Sequence, residues 1–478
     1  MLRSLNLNAP IASSGRFLLQ QQHRQSVRLL SAAPAAAKPA DSKRRSLAKP
    51  DRPNIVLVEG VRTPFLQSGT DYKRLMPHDL ARHSLLTLAN RTKLDKSIVD
   101  YIVMGTVIQE VKTSNIAREA ALGAGYSDRI PAHTVTQACI SSNQAITTCM
   151  GLLATGAAQV CIAGGVEFMS DVPIRLNRNT RSHLLSMRKA KSLPDQLSVG
   201  GRILGSLTGG VELPAVAEFS TNETMGHSAD RLCAAFGISR RAQDEFALRS
   251  HTLAAQAAKD GLLTEIEPFK VPGVANTVSR DNGVRPSSME AMSKLKPAFV
   301  KPHGTITAAN ASFLTDGASA CLLTTEETAK RLGLKPKAYL RDFMYVSQDP
   351  KDQLLLGPAY ATPRILERNG LSLADIDAFE YHEAFAGQIL ANLAALDSDY
   401  FAKQYMGRQA GKYGAPPMDK LNCWGGSLSI GHPFGATGVR LVTCAANRLL
   451  KGSGQLALVA ACAAGGQGHA MLVEAYPQ

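Results

Sequence analysis

The sequence predicts a layered α/β fold built from two similar halves. Short apolar runs typical of buried strands alternate with helix-like segments, which indicates sheets covered by helices. An order of loop, helix, strand and Ala-Gly-Gly occurs twice, over residues 137–165 and again over residues 425–466. This repeat predicts a duplicated fold whose halves pack face to face and meet at their loops.

Residues 1–35 have the composition of a mitochondrial presequence. Arginines are spaced among Leu, Ser and Gln, and the first acidic residue is Asp41. Import signals are Arg-rich, Ser-rich and poor in acids, which favours this interpretation over a merely basic disordered tail. Residues 36–53 are rich in Ala, Pro and Lys and predict a linker or cleavage zone. Folded structure is therefore predicted to begin at Asn54.

The first half is predicted over residues 54–170, completed by residues 304–325. Apolar runs bounded by glycine or polar residues indicate its strands. The predicted elements are strands 55–58, ending at Gly60, 101–107, 159–165, ending in a tight glycine turn, and 318–324, with a helix over 79–90.

Residues 171–303 interrupt the alternation and predict an inserted, mainly helical loop domain, with a long helix over 240–261. The second half is predicted over residues 326–478. Its helix 439–450 and strand 455–461 repeat the order seen in the first half.

Charge and cysteine placement exclude several classes of protein. The net charge of +14 comes from two segments, since residues 1–50 hold nine basic residues and one acid, and residues 172–211 hold seven and one. No aromatic residue lies among the cations of 172–211, which argues against nucleic-acid binding. The eight cysteines lack paired spacing, which argues against a disulfide framework or a zinc ribbon and fits a reducing compartment.

Cys139 lies between an extended stretch, residues 131–136, and a helix-like stretch that follows it. A cysteine at a helix N-terminus is next to unpaired N–H groups and the positive end of the helix dipole, so we expect a stabilised thiolate. For a single cysteine, a small buried core residue is the competing interpretation. Partners elsewhere in the chain decide between the two.

Two further segments offer such partners. His432 lies in a loop with three nearby glycines, where an imidazole is able to serve as a base toward a thiol. Cys462 ends a buried strand and precedes a glycine-rich turn. His382 and Glu383 are adjacent, so they cannot share a helix face, and no His-Glu-x-x-His pattern follows. We therefore expect no metal site.

Seven separate blocks, in order, resemble the thiolase family over residues 54–478. The blocks are 61–65 (VRTPF), 137–142 (QACISS), 164–170 (GGVEFMS), 307–312 (TAANAS), 382–385 (HEAF), 431–433 (GHP) and 462–468 (CAAGGQG). The resemblance implies a duplicated αβαβα layered fold and an acyltransferase that uses acyl-CoA and CoA as co-substrates, with no tightly bound cofactor.

The resemblance also implies a role for each matching residue. Cys139 would be the nucleophile that carries the acyl group, His432 would activate it, and Cys462 would be the general acid and base at carbon. Ser312 would lie along the pantetheine arm of CoA. The backbone N–H groups of Cys139 and Ala464 would form one oxyanion hole, and His432 with a bound water the other.

Two positions depart from the common family pattern, because His382 replaces an Asn that holds the oxyanion-hole water and Ala464 replaces a glycine. These departures resemble the branch that serves as the β subunit of a mitochondrial trifunctional complex. That branch implies 3-ketoacyl-CoA thiolysis in fatty-acid β-oxidation, long-chain substrates, a homodimer core and a partner α subunit with hydratase and dehydrogenase activities.

Alternatives remain open at this point. An acetoacetyl-CoA thiolase running the condensation shares the same catalytic residues, and a catalytically inactive membrane-tethering subunit is a third hypothesis. The cations of 172–211 alternate with isolated Leu and Met residues, which suits contact with an anionic membrane, here the matrix side of the inner mitochondrial membrane. Contact with CoA phosphates or with an acidic face of the α subunit would also fit.

Overall fold

The structure is a computed structural model that describes residues 47–214 and 217–477. The predicted presequence and residues 36–46 of the predicted linker lie outside these ranges. No helix within the described residues is both long enough and apolar enough to cross a lipid bilayer.

The strands form one large mixed sheet and one short two-stranded sheet. The strands are β1 Ile55–Arg62, β2 Leu66–Gln67, β3 Tyr101–Gly105, β4 Ala132–Val135, β5 Val160–Glu167, β6 Arg175–Leu176, β7 Val211–Glu212, β8 Thr315–Thr325, β9 Ala338–Ser347, β10 Ala378–Tyr381, β11 Leu456–Ala463 and β12 Gln467–Ala475. The order in the large sheet is β10-β11-β12-β9-β1-β8-β5-β3-β4, with β2 paired to β8, while β6 and β7 pair antiparallel in the small sheet.

Helices flank the sheet and make up most of the inserted segment. The helices are α1 Pro77–Thr92, α2 Ile116–Gly123, α3 Ser141–Ala154, α4 Arg178–Met187, α5 Leu193–Ser206, α6 Met225–Phe236, α7 Arg240–Lys259, α8 Met289–Ser293, α9 Glu326–Arg331, α10 Gly357–Arg368, α11 Ala386–Leu396, α12 Asp399–Gln404, α13 Ser427–Ile430 and α14 Thr437–Gly452. Short 3₁₀ turns occur at Lys96–Ile98, Leu207–Gly209 and Leu373–Asp375.

Helices α3 and α14 form the central layer. They contact each other, and α14 contacts strands of both halves, β8 and β1 on one side and β10, β11 and β12 on the other. Their apolar side chains join those of both sheet halves in one buried core, which includes Ile146, Val442 and Val459. Helices α1 and α2 cover the outer face of the first half, and α10 and α11 cover that of the second. The predicted duplicated, layered α/β fold is confirmed.

The two halves also join edge to edge through β1 and β9. These strands are antiparallel, with Val56 opposite Tyr339 and Leu57 opposite Ala338. The chain therefore bends one continuous sheet around the central helices. The predicted Cys139 and His432 loops precede the two central helices, and the His382 and Cys462 segments lie at the ends of β10 and β11.

Two predicted strand ends are wrong, and both involve glycine. Strand β1 continues past Gly60, and β5 continues through Gly164 and Gly165 instead of turning there. A Cβ atom on Gly165 would lie 1.8 Å from the carbonyl oxygen of Gly435, and one on Gly60 would lie 2.0 Å from Thr443 Oγ1. These glycines are required because neighbouring segments approach the strands closely.

The inserted segment between β5 and β8 is anchored to the first half by buried ion pairs. The Arg62 guanidinium donates to Glu265 at 3.1 Å and to both carboxylate oxygens of Asp281 at 2.6 and 2.9 Å. All three side chains are buried, so losing either carboxylate would leave an uncompensated charge inside the protein. Helices α6 and α7 pack on α11 and extend the outer layer of the second half.

Candidate active site

Cys139 lies in a tight turn between β4 and α3. Ala138 has a left-handed backbone with φ of 45°, which is uncommon for a residue with a Cβ atom. The Ser141 hydroxyl holds this turn, because it accepts from the Gln137 N–H at 2.8 Å and donates to the Ala138 carbonyl at 2.6 Å. A strained conformation next to a reactive side chain is typical of active sites.

The cluster formed by Cys139, His382 and His432 is the chemical centre of the molecule. The Cys139 sulfur and one ring nitrogen of each histidine lie within 4.8 Å of one another. The two imidazole rings have centroids 4.0 Å apart and are tilted by 43°. Three separate segments of the chain, from both halves of the fold, supply these side chains.

A cavity of about 390 Å³ opens onto this cluster. Four of the predicted residues besides Cys139 line it, namely Ser312, His432, Cys462 and Ala464. Its remaining wall is largely apolar and includes Met225, Phe299, Leu355, Phe385 and Phe434. The structure thus brings all the predicted site residues to one place, with His382 directly behind His432.

Hydrogen bonds fix the tautomer of His432. The Thr437 hydroxyl donates its proton to the Pro433 carbonyl at 3.0 Å, so at 2.7 Å it accepts from His432 Nδ1–H. The other nitrogen, Nε2, therefore carries a lone pair. It is buried and has no hydrogen-bond partner among the described residues. This arrangement leaves a base available for the Cys139 thiol.

His382 has the opposite tautomer. Arg440 donates to the Ser427 hydroxyl at 2.7 Å, and the Ser427 hydroxyl donates to His382 Nδ1 at 3.2 Å, since the described residues offer its proton no other acceptor. His382 therefore carries its proton on Nε2, which is buried and without a partner among those residues. The site thus contains one imidazole acceptor and one imidazole donor.

Burial keeps every titratable group of the cluster neutral. It raises the pKa of the Cys139 thiol to about 12, although a hydrogen bond from the Ala464 N–H acts in the opposite direction. It lowers the pKa of His382 to about 3 and that of His432 well below its usual value. The thiolate expected from the helix position is therefore wrong for the ligand-free site. Desolvation exceeds the stabilisation available from α3, which begins only at Ser141.

Cys462 lies near the end of β11, and its thiol is also neutral. Burial raises the pKa of this thiol, and the neighbouring Cys139 raises it further. A protonated thiol on the cavity wall is able to donate a proton to carbon and to recover it from another thiol. The Ser312 backbone N–H donates to the Ala384 carbonyl at 3.0 Å, which places Ser312 beside the segment that follows His382.

Glu167 is a functional residue that the sequence did not single out. Its buried carboxylate accepts from the backbone N–H groups of Val107 at 3.2 Å, Ile108 at 2.9 Å and Gly435 at 2.9 Å. It thereby ties the loop of His432 to the end of β3. Burial raises the pKa of Glu167 to about 7. The signal for it was the acidic residue inside the apolar GGVEFMS block.

Glu383 has a structural role next to His382. Its buried carboxylate accepts from Ser250 at 2.7 Å and from Asn422 at 2.7 Å, and it contacts the start of α13 through the Leu428 N–H at 3.4 Å. The adjacent side chains point in different directions, His382 toward His432 and Cys139, and Glu383 toward the loop that leads to His432.

We predict that Cys139, a half-buried thiol on the cavity wall, reacts as an ordinary neutral thiol. Its raised pKa means that the thiolate is a minor species at neutral pH and increases about tenfold for each pH unit. Alkylation of Cys139 by iodoacetamide, followed by peptide mass spectrometry, should therefore accelerate steadily with pH over roughly pH 7 to 9. A rate that is flat over this range would contradict the neutral site and indicate a preformed thiolate–imidazolium pair.

Comparisons with known proteins agree with this geometry. Residues 55–327 match the thiolase N-terminal domain, and residues 334–475 match the thiolase C-terminal domain. The mouse protein named trifunctional enzyme subunit beta, mitochondrial, is 68% identical over 91% of both chains. A Caenorhabditis elegans protein named probable 3-ketoacyl-CoA thiolase is 64% identical over 90% of this chain and 96% of its own.

A solved structure shows the same fold. The acetyl-CoA acetyltransferase of Bacillus anthracis superposes with a TM-score of 0.75 and 31% identity, over 89% of this chain and 99% of the bacterial one. The two regions that match the thiolase domains, residues 55–327 and 334–475, include every residue of the cluster and of the cavity wall described above. The chain therefore belongs to the thiolase family.

Proposed function

We propose that this chain is a mitochondrial 3-ketoacyl-CoA thiolase of fatty-acid β-oxidation and the β subunit of a trifunctional complex. It cleaves a 3-ketoacyl-CoA with CoA to acetyl-CoA and an acyl-CoA two carbons shorter. The observation that carries the proposal is the meeting of Cys139, His432 and Cys462 at one buried cavity. The names of the mouse and nematode relatives support the assignment.

The first half-reaction forms an acyl-enzyme. His432 Nε2 takes the thiol proton as the Cys139 sulfur attacks the C3 carbonyl of the substrate. The N–H groups of Cys139 and Ala464 stabilise the resulting oxyanion. The C2–C3 bond then breaks, leaving the acyl group on sulfur and an enolate of acetyl-CoA. Cys462 gives its proton to C2, and acetyl-CoA leaves.

His382 supports the enolate in this scheme. Its Nε2–H and the protonated Nε2 of His432 donate to the thioester oxygen, directly or through a water. Because the site is buried, these donors act in a medium of low dielectric, where each hydrogen bond to a developing charge is stronger than in water. The Arg440–Ser427 pair behind His382 orients this donor.

The second half-reaction transfers the acyl group to CoA. The Cys462 thiolate accepts the proton of the CoA thiol, whose sulfur attacks the Cys139 thioester. The tetrahedral oxyanion forms again at the N–H groups of Cys139 and Ala464. Its collapse releases the shortened acyl-CoA, and the proton held by His432 returns to Cys139.

Replacing Cys139 by Ser should abolish the acyl-enzyme. We expect the wild type to show, by intact-mass spectrometry after mixing with a 3-ketoacyl-CoA, the mass of an acyl group shortened by two carbons. Cys139→Ser should show no adduct and lose thiolysis by roughly 10³-fold or more, with an unchanged melting temperature. Cys423→Ser, a change at a half-buried thiol outside the cavity, is the matched control and should behave as the wild type.

The chain length of the substrate separates this proposal from its alternatives. The apolar cavity wall, with Met225, Phe299 and Phe385, favours an extended acyl chain. Thiolysis of a long-chain substrate should therefore have a higher kcat/KM than that of the four-carbon one. A sharp preference for the four-carbon substrate would favour the acetoacetyl-CoA thiolase, and full turnover by Cys139→Ser would refute the nucleophile.

Removing the hydroxyl that orients His432 should slow catalysis without unfolding the protein. Thr437→Val removes the acceptor for Nδ1–H, so the ring no longer favours the tautomer with a free Nε2. We expect kcat to fall by about tenfold to a hundredfold, and Thr437→Ser to recover most of it.

Thr443→Val is the matched control for that variant. It is the same substitution on the same helix, at a buried hydroxyl with no hydrogen-bond partner among the described residues. Its kcat should equal that of the wild type. Equal losses in the Thr437 and Thr443 variants would mean that helix packing, rather than the tautomer, was measured.

We also propose that the hairpin formed by α4 and α5 contacts the matrix side of the inner mitochondrial membrane. Arg188, Lys189 and Lys191 are exposed at its tip. The flanking helices expose large aliphatic side chains, namely Leu184, Leu185, Leu193, Leu197 and Leu204. Isolated aliphatic side chains beside cations suit the boundary of an anionic bilayer.

The names of the relatives support an α-subunit partner. The terminal strand β4 of the large sheet suits pairing in a homodimer.

Neutralising the hairpin tip should weaken membrane binding. In flotation with cardiolipin-containing liposomes, the triple variant Arg188→Gln, Lys189→Gln and Lys191→Gln should be recovered with lipid less than the wild type, since each cation near the surface contributes about 1 kcal/mol. The control replaces three exposed lysines elsewhere, Lys335, Lys403 and Lys451, by Gln. Equal recovery of the hairpin variant and the wild type would refute membrane contact through this tip.

A further inference from the structure

We propose that Cys139, His382 and His432 also form an inhibitory binding site for a divalent cation of the Zn²⁺ class. Within the described residues, this is the one group of His, Cys, Asp and Glu side chains close enough to share a metal ion. A thiolate with two imidazoles is a donor set that favours Zn²⁺ over Mg²⁺ or Ca²⁺. The proposal goes beyond the proposed function, whose steps route no chemistry through a metal.

The distances between the donor atoms are close to those of a metal site. Zn²⁺ binds imidazole nitrogen at about 2.0 Å and thiolate sulfur at about 2.3 Å, so tetrahedral ligands lie roughly 3.3 to 3.8 Å apart. The three donor atoms lie within 4.8 Å of one another. The atoms therefore need to approach one another by about 1 Å to reach metal-ligand spacing, a shift on the scale of side-chain rotation.

Both histidines present an unsatisfied nitrogen. Nε2 of His382 and Nε2 of His432 are buried and have no hydrogen-bond partner among the residues described. Both rings are essentially inaccessible, at 0% and 2% exposure. An unpaired buried nitrogen costs free energy that a metal bond would recover.

The hydrogen bonds behind the rings suit metal binding. Thr437 already holds His432 with Nδ1 protonated, which leaves its Nε2 lone pair free. For His382, the ring proton must move from Nε2 to Nδ1. The Ser427 hydroxyl then accepts from Nδ1–H and gives up its own acceptor, and Nε2 becomes a ligand as well. In metal sites generally, a hydrogen bond from the ring nitrogen that does not bind the metal orients the histidine.

Charge sets the affinity and its pH dependence. Binding replaces the thiol proton by the metal, so one proton is released and binding strengthens as pH rises. The acidic groups that act on Cys139, Glu167 and Glu218, favour the cation, whereas Arg440 opposes it. Because Cys139 and His432 line the cavity, a metal held by them and a bound acyl-CoA would exclude each other.

Cobalt offers a test that does not depend on enzyme activity. Reduced, metal-free protein should bind a single equivalent of Co²⁺ and develop the near-ultraviolet absorption of a thiolate–cobalt bond, which Zn²⁺ should then abolish by displacement. Cys139→Ser should lose this band, and His382→Ala and His432→Ala should each weaken binding by about tenfold or more. Cys423→Ser should bind as the wild type does.

Wild-type protein that is alkylated at Cys139 after folding provides a second test, because its loss of binding does not arise from misfolding. The alkylated protein should also lack the thiolate–cobalt absorption band. In activity assays, Zn²⁺ should inhibit competitively with acyl-CoA, and chelation should restore turnover. The proposal is overturned if the band persists in Cys139→Ser or in the alkylated protein, if both histidine variants bind as the wild type does, or if the wild type fails to bind Co²⁺.

Discussion

The close contact between the N-terminal ends of α3 and α14 is the constraint on which the rest of the structure depends. A Cβ atom on Gly438 would lie 2.3 Å from Asn143 Oδ1, so only glycine permits the two helices to approach this far. The Val439 N–H donates to the Ser142 hydroxyl at 3.2 Å across the same contact. Cys139 and His432 precede these two helices, so their meeting follows directly from the packing of the central layer.

Burial beside that helix contact determines the protonation states of Cys139, His382 and His432. With Cys139 protonated and both histidines neutral, the ligand-free site holds no charge of its own. In the proposed mechanism, proton transfer from sulfur to His432 becomes favourable only when an oxyanion forms against the Cys139 and Ala464 N–H groups. The thiol is thereby protected from oxidation and stray alkylation until a substrate occupies the cavity, because the thiolate is the reactive form.

The sequence was sufficient for the layered fold and for the residues that meet at the cavity. Periodicity and the repeated loop, helix and strand indicated the halves. The position between a strand and a helix indicated Cys139, a glycine-rich loop indicated His432, and the family resemblance supplied their roles. The sequence was insufficient for features that depend on contacts between distant segments of the chain. Gly165 reads as a turn until the Gly435 carbonyl is seen against it, and the roles of Glu167 and Glu383 depend on backbone N–H groups far away in the chain.

In the proposed mechanism, His382 takes the donor role of the family's Asn, and this replacement makes that role depend on the tautomer of the ring. An Asn donates through its amide whatever its neighbours do, whereas an imidazole donates through Nε2 only if Nδ1 is an acceptor. Ser427 and Arg440 impose that condition here. The pKa of His382, lowered to about 3, keeps the ring neutral throughout the physiological range, so its donor strength does not vary with pH. The same dependence applies to the proposed metal site, because Nε2 of His382 is able to bind a cation only after its proton has moved to Nδ1.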